Sequence, residues 1–162
     1  MKTNYSLENY KIKNSKLMEE EASVIRQHLE ESIQKTKENG IHFFGNFVGM
    51  NFLGFEGDVF ISEIEAKPHL LNTFQVLQGG AQATISDVTM GFMLLQLYGD
   101  VVTLEMKTNY INPGHGKVFQ AKSKVVGKAG RHILCECRLE NEEGILISYS
   151  TGTFVQRNPN KS

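Results

Sequence analysis

The chain has 162 residues, with 17 basic and 18 acidic side chains and a formal net charge of −1. That length supports one hydrophobic core and is too short for two ordinary domains, while the balanced charge excludes the basic surface of a nucleic-acid-binding or membrane-surface protein. No apolar run reaches the roughly 18 residues that span a bilayer, and the polar start MKTNYSLENYKIKNSK lacks the apolar region of a signal peptide, so we expect a cytoplasmic protein.

Residues 1–40 are predicted to form a helical extension. Residues 1–16 are polar, and we expect them to be loosely ordered. Between residues 17 and 37, apolar side chains recur every three or four positions, which predicts an amphipathic helix: Met18, Ala22, Ile25, Leu29 and Ile33. Such a helix covers a sheet edge or a face of the core, or it binds a partner. The pattern does not separate these roles.

Residues 41–157 are predicted to form one α+β domain, followed by a disordered tail at 158–162. A hairpin is predicted from residues 47–55 and 59–66, and a nearly all-apolar helix from 81–97. Apolar side chains surround the axis of this helix, so we expect it to be buried. Four more strands are predicted, from residue 102 up to Asn112-Pro113-Gly114 and at 118–126, 131–139 and 145–155. An antiparallel sheet of about five to six strands would then wrap one central helix.

The stretch from Asn72 to the central helix carries the strongest chemical signal. Gly79 and Gly80 open the helix, where backbone N–H groups have no internal acceptor and can hold an anion or a developing oxyanion. Asp87 is the only charged residue of the helix. It lies seven residues after Gly80, roughly 10 Å along the axis, which is too far for one reacting carbonyl to touch both. If the two groups act together, a second copy of the chain must supply one of them.

These motifs resemble the hotdog-fold thioesterases of the phenylacetic-acid-pathway type. Their pattern is an Asn, a short turn, His-Gly-Gly and an Asp nine residues after the His. Asn72, Gly79, Gly80 and Asp87 match those spacings, whereas Gln78 stands in place of the His. The resemblance continues through VVTLEMKTNYINPG, GKAGRH and EEGILISYSTGTF and covers roughly residues 48–155.

The resemblance implies a role for each matching residue. Asp87 would be the general base or the nucleophile, and the Gly80 N–H would polarise the thioester carbonyl. Asn72 would orient substrate or water, and Thr103 would help to hold the attacking water. Gln78 and Gly79 would line the substrate site; an amide can hydrogen-bond where a histidine would, but it does not titrate near neutral pH.

The same residue types also have purely structural explanations. Asp87 can be a capping or interface carboxylate, and Asn72 can close an Asx turn. Gly79 and Gly80 can be turn glycines, and Thr103 can be a strand residue chosen for its β-branched side chain. We expect residues 79 and 80 to tolerate side chains poorly under either interpretation.

A basic turn is the second candidate for substrate binding. Lys128, Arg131 and His132 follow a predicted strand, where cationic groups can meet phosphates. In the related family, comparable turns lie near the coenzyme A nucleotide. Solvated surface charge explains the same three residues.

The sequence predicts no metal site. Cys135 and Cys137 alternate with polar residues on one strand and are interpreted as small core side chains, because they have no ligand partners nearby. His42, His69, His115 and His132 lie in separate segments, and we expect most of them at the surface.

The resemblance therefore implies an acyl-CoA thioesterase that needs no separate cofactor, because coenzyme A is part of the substrate. It also implies a homodimer, often assembled into a homotetramer, with neither nucleic acid nor membrane as a partner. Two alternatives stay open: a non-catalytic acyl-CoA or lipid-binding hotdog protein, suggested by Gln78, and a scaffold that binds a partner through its N-terminal helix.

Overall fold

The computed structural model describes residues 17–39 and 43–157. The predictions of a loosely ordered start at 1–16 and a disordered tail at 158–162 lie outside these residues. The helices and strands have these bounds: α1 Glu19–Asn39, α2 Phe43–Val48, β1 Asn51–Glu56, β2 Val59–Glu65, α3 Gly79–Tyr98, β3 Val101–Tyr110, β4 Val118–Ala129, β5 His132–Asn141 and β6 Leu146–Gln156.

The strands form one six-stranded sheet in the order β1-β2-β4-β5-β6-β3, and every neighbouring pair is antiparallel. Helix α3 lies against one face of this sheet and shares its core with the inward side chains of the strands. The core includes three phenylalanines with 0–1% exposure: Phe60, Phe119 and Phe154. The predicted α+β arrangement of one sheet around a central helix, with an additional N-terminal helix, is confirmed.

The predicted first strand begins too early. Residues 43–48 form the short helix α2, and β1 starts only at Asn51. Gly49 ends α2 with a φ of +87°, which glycine adopts without steric cost, and its N–H bonds to Gly45 O and Asn46 O. The predicted turn at 56–58 is confirmed, since residues 57 and 58 connect β1 to β2.

Helix α3 is buried on one side in this chain, not all around. Its buried face, which packs against the sheet, consists of Gln82, Ile85, Ser86, Thr89, Met90, Met93 and Leu94. On the opposite side Asp87 is half-buried, and Leu95 and Leu97 are exposed. A single sheet covers only one side of a helix, so the all-apolar pattern predicts more burial than one chain provides.

Helix α1 docks through polar residues. His28 and Ser32 are buried, whereas Leu29 and Ile33 of the predicted apolar stripe are each 39% exposed. The Ser32 hydroxyl donates to His28 O and Asn46 O at 2.7 and 3.0 Å. The contact face is therefore rotated by about one residue from the predicted one, because hydrogen bonds to α2 determine how α1 lies.

Both cysteines are buried core residues, as predicted, and neither forms a disulfide. Burial raises the pKa of the Cys135 and Cys137 thiols to about 12. At pH 8 we expect the folded protein to react with a thiol reagent more than about a thousandfold more slowly than the unfolded chain, because so little thiolate is present. Labelling with dithionitrobenzoate, with and without denaturant, measures this ratio, and rapid labelling of the folded protein would contradict it.

Candidate active site

Asp87 and Thr103 are in direct contact. Asp87 lies on the open side of α3, and the Thr103 hydroxyl of β3 donates to its Oδ1 at 2.9 Å. The pairing of β3 with β6 shifts register between Thr103 and Glu105, and such a bulge re-aims the neighbouring side chains. The carboxylate keeps its second oxygen for a further partner, while the Thr103 oxygen can still accept a hydrogen bond from water. The structure thus brings together two of the residues singled out from the sequence.

A cavity of about 400 Å³ opens beside this pair. Apolar side chains and one glycine form most of its wall: Val88, Gly91, Phe92, Leu95, Val101 and Phe154. Asp100 and Arg157 also line it. A cavity whose wall combines apolar side chains with a few polar groups is typical of a site for a small organic group.

Gly79 and Gly80 open α3, as predicted, whereas the capping role of Gln78 was not predicted. Gln78 is the N-cap, and its side-chain Oε1 accepts from the Ala81 N–H at 2.9 Å. Among the described residues, no acceptor is found for the Gly80 N–H, and Gly80 is exposed. This backbone N–H therefore faces outward at the positive end of the helix dipole, where it can bind an oxyanion.

Side chains at positions 79 and 80 would meet close neighbours. A Cβ at Gly80 would lie 2.8 Å from the Gln78 Oε1 that caps the helix, so the cap would have to move. A Cβ at Gly79 would lie 3.3 Å from the Tyr110 ring, whose hydroxyl donates to Gly79 O at 3.0 Å. Tyr110 was not singled out from the sequence, because only the β3–β6 pairing brings the end of β3 to this helix.

Asn72 closes its own loop. Its Oδ1 accepts from the N–H groups of Phe74 and Val76, at 2.9 and 3.4 Å, which is the Asx-turn arrangement. Gln75 has a φ of +59°, a left-handed conformation that L residues seldom adopt. Phe74, which lies between Asn72 and Gln75 in the sequence, is 81% exposed. The Asx interpretation of Asn72 is therefore observed, and its side-chain Nδ2 is not used in that turn.

The two halves of the candidate site lie in different cavities of one chain. Asp87 and Thr103 line the cavity beside Phe92, whereas Asn72 and Gly79 line another of about 320 Å³. The two cavities share no lining residue. Within this chain Asp87 does not meet the helix N-terminus, as its spacing from Gly80 predicts.

The basic turn is separate from both cavities. Lys128 donates to the Gln156 side chain at 3.3 Å and lies 4.4 Å above the centre of the Tyr98 ring. Arg131 and His132 are exposed at the turn between β4 and β5. These three residues form a cationic surface at the end of the sheet, and none of them lines the two cavities described above.

Two residues of the apolar cavity were missed from the sequence. Asp100 precedes β3 and Arg157 follows β6, and the Arg157 N–H donates to Asp100 O at 2.9 Å. Both strands were predicted, but the register that pairs Val101 with Gln156 places these ends beside each other. An isolated charged residue just outside a strand gives no sign of that register.

Within residues 17–39 and 43–157, no three His, Cys, Asp or Glu side chains are grouped so that they could share a metal ion. No helix in the same ranges has the length and hydropathy to cross a membrane.

Known proteins resemble this chain in sequence and in fold. Residues 74–148 match the family model of the thioesterase superfamily. Over 130 residues the chain is 22% identical to the medium/long-chain acyl-CoA thioesterase YigI of Escherichia coli K12, a match that covers 69% of this chain and 84% of YigI.

The BH2602 protein of Bacillus halodurans, crystallised with CoA, superposes with a TM-score of 0.76 at 23% identity, covering 87% of this chain and 93% of that one. The E. coli PaaI protein of the phenylacetic acid degradation operon superposes with a TM-score of 0.68 at 11% identity, covering 80% and 96%. These likenesses show the hotdog fold. The family match over residues 74–148 agrees with this fold, and it makes that part of the chain similar to the thioesterase superfamily.

Proposed function

We propose that this protein hydrolyses acyl-CoA thioesters to a free acid and coenzyme A. The observation that carries the proposal is the Asp87 carboxylate, bonded to Thr103 at the wall of an apolar cavity. Such a cavity suits an acyl chain, and the carboxylate beside it can act on the carbonyl at the end of that chain. The names of the relatives support this reaction class, since YigI is an acyl-CoA thioesterase and BH2602 was crystallised with CoA.

Two chemical routes fit the carboxylate. As a general base, Asp87 takes a proton from a water molecule whose oxygen attacks the carbonyl carbon; the C–S bond then breaks, and the thiolate of coenzyme A takes up a proton. As a nucleophile, Asp87 attacks the carbon itself, the C–S bond breaks, and the thiolate of coenzyme A leaves and takes up a proton; water then hydrolyses the resulting anhydride, which releases the acid and restores the carboxylate. In both routes the Gly80 N–H stabilises the negative charge that develops on the carbonyl oxygen, and Asn72 Nδ2 orients the substrate or the water.

The complete site requires two subunits in this proposal. Gly80, Thr84, Asp87 and Gly91 lie along the open side of α3, so a second copy packed there would bring its own helix N-terminus to the first Asp87. Strand β3 is an edge strand of ten residues, on which Val102 and Leu104 are 41% and 54% exposed. Pairing of β3 with its copy would cover this edge. A homodimer is the minimal active unit, and two dimers would form a homotetramer.

The nucleotide part of coenzyme A is assigned to the basic turn. Arg131 and His132 are exposed there beside Lys128, and a guanidinium can bind a phosphate with two parallel hydrogen bonds. Coenzyme A enters the proposed reaction as part of the thioester substrate and leaves as a product, so the reaction needs no resident cofactor.

The direct test measures thiol release from short, medium, long and aromatic acyl-CoAs at neutral pH. We expect hydrolysis of at least one class, with a kcat in the range of about 1 to 10³ s⁻¹ that is usual for enzymes. The class with the highest kcat/KM identifies the acyl group that fits the cavity. Intact thioesters in the presence of a folded oligomer would contradict the proposal.

The alternative of a non-catalytic acyl-CoA-binding protein is favoured by one observation. Gln78 stands where the resembling family has His, and its side-chain oxygen is already engaged in capping Ala81. Calorimetric titration with a non-hydrolysable thioether analogue of acyl-CoA separates the two functions. Binding without any turnover of the thioester, together with turnover gained in Gln78→His, would establish the alternative.

A further inference from the structure

Helix α1 meets the domain at two histidines and a lysine. The rings of His28 and His69 stack with centroids 4.7 Å apart and planes inclined by 22°. The Nε2 atoms of both rings contact the same acceptor, the carbonyl oxygen of Phe47 in α2, at 2.6 Å for His28 and 3.0 Å for His69. The Nζ atom of Lys67 lies 2.9 Å from Nδ1 of His28.

These contacts assign donor and acceptor roles to the ring nitrogens. A carbonyl oxygen only accepts, so each Nε2 carries a hydrogen. The Lys67 ammonium only donates, so Nδ1 of His28 is the acceptor in that contact. The Nδ1 atom of His69 is buried and has no hydrogen-bond partner among the described residues. A proton placed there would be buried without an acceptor, which is costly, so the buried His69 ring is neutral.

Charged groups of both signs lie around the pair: the lysines oppose its protonation, whereas the glutamates favour it. Lys67 already places an ammonium against His28, and a cavity of about 190 Å³ on the same side is also lined by Glu31 and Lys35 of α1 and by Glu65 at the end of β2. Burial, and then the nearby His28, lowers the pKa of His69 from its ordinary value of 6.5; the bond to Phe47 opposes the shift, and Lys67 adds to it.

The sign of the pH dependence follows from this shift. We call the contacts that hold His69 against His28 and Phe47 O the histidine clamp. A His69 ring released from this clamp takes up a proton near pH 6.5, whereas the clamped ring stays neutral to lower pH. The clamp therefore contributes its full stability above about pH 6.5 and loses it as the pH falls toward the lower pKa of the clamped ring.

His69 is joined directly to the loop that carries Asn72. It is the middle residue of the 3₁₀ turn Pro68–Leu70. The next carbonyl, Leu70 O, accepts from the N–H of Gln78 at 2.9 Å. Leu71 pairs with Leu77 in an isolated β-bridge that closes the base of the loop. The turn that holds His69 thus also holds the N-cap of α3.

We propose that His69 is a positioning residue for the Asn72–Gly80 loop, clamped in place by His28 of α1, and that protonation of His69 releases the loop. The inference rests on the proposed function, because that loop carries the oxyanion donor. In this proposal α1 holds the N-terminus of α3 in place at neutral pH and releases it at acidic pH.

The test is hydrogen–deuterium exchange of the whole protein at pH 7.5 and 5.5, corrected for the intrinsic pH dependence of exchange. In the wild type we expect peptides covering residues 70–80 to lose protection at pH 5.5, by at most about tenfold because this pH is one unit below the ordinary histidine pKa of 6.5, while β4 and β5 stay protected. In His69→Gln the amide can still donate to Phe47 O but cannot titrate, so protection should be independent of pH. His115 is exposed, and His115→Gln should behave as the wild type.

The outcomes separate this proposal from the proposed function. Loop exchange that is independent of pH in the wild type would overturn it, as would an unchanged pH dependence in both His69→Gln and His28→Gln. If His69→Gln does not fold, the wild-type titration and His28→Gln decide the question. The pH profile of kcat/KM should fall more steeply below pH 6.5 in the wild type than in His69→Gln. If the protein hydrolyses no thioester but shows the expected exchange pattern, the proposed function is refuted and the proposed role of His69 is supported.

Discussion

Replacing Asp87 with asparagine is expected to lower kcat for acyl-CoA hydrolysis by about 10²- to 10⁴-fold, the usual contribution of a general acid–base group. Asparagine has nearly the same shape, and its side-chain oxygen can still accept the Thr103 hydroxyl that lies 2.9 Å from Asp87. The amide cannot take a proton from water or form an anhydride, so both chemical routes are lost. KM should change little, because substrate binding does not depend on that charge.

The matched control is Asp58→Asn. Asp58 is an exposed aspartate in the β1–β2 turn, and its replacement should leave kcat unchanged. Thr103→Val should lower kcat by about tenfold through the loss of one hydrogen bond to a charged group, and Thr103→Ser should retain most of the rate. A rate for Asp87→Asn within twofold of the wild type would contradict the assignment, whichever acyl-CoA is used.

The sheet was predictable because its patterns are local. Alternation of apolar and polar residues, as in the run of Ile133, Cys135, Cys137 and Leu139, determines which side chains face the core, and all four are fully buried. Helix α2 was not predictable in the same way. Its short FFGNFV sequence reads equally well as a strand, and it becomes a helix in a structure where Gly49 ends it and His28 and His69 bond to Phe47 O.

The same distinction applies to the candidate site: features within one element were predictable, and contacts between elements were not. The helix N-terminus at Gly79 and the position of Asp87 on the helix follow from spacing along one element, and both were predicted. The Thr103 contact, the Tyr110 ring against Gly79 and the cavity residue Arg157 depend on the register between β3 and β6. Sequence periodicity gives strand faces but not registers. The family resemblance suggested Thr103, and nothing in the sequence indicated the other two.

Two inactive variants are expected to restore activity when they are combined in one dimer. Gly80→Val covers the backbone N–H and places a Cβ 2.8 Å from Gln78 Oε1, so we expect a loss of about 10²- to 10³-fold, as for removal of an oxyanion donor. Asp87→Asn is inactive for a different reason. In a mixed dimer with shared sites, one site carries both substitutions, Asp87→Asn from one chain and Gly80→Val from the other. The second site carries neither, because it takes Asp87 from the Gly80→Val chain and Gly80 from the Asp87→Asn chain. Mixed dimers should therefore show about half of the wild-type rate.

Co-expression with two different tags, followed by purification through both, isolates the mixed dimers for the thiol-release assay. If each chain supplied both Asp87 and Gly80 to its own site, every site in the mixed dimer would carry one mutation, and the rate would stay at the level of the inactive parents. Gly127→Val serves as the control, because a Cβ at Gly127 has no neighbour within 4 Å. That variant should be active alone. We propose the shared-site arrangement because Asp87 and Gly79 line separate cavities of one chain, and a dimer could bring the two cavities together.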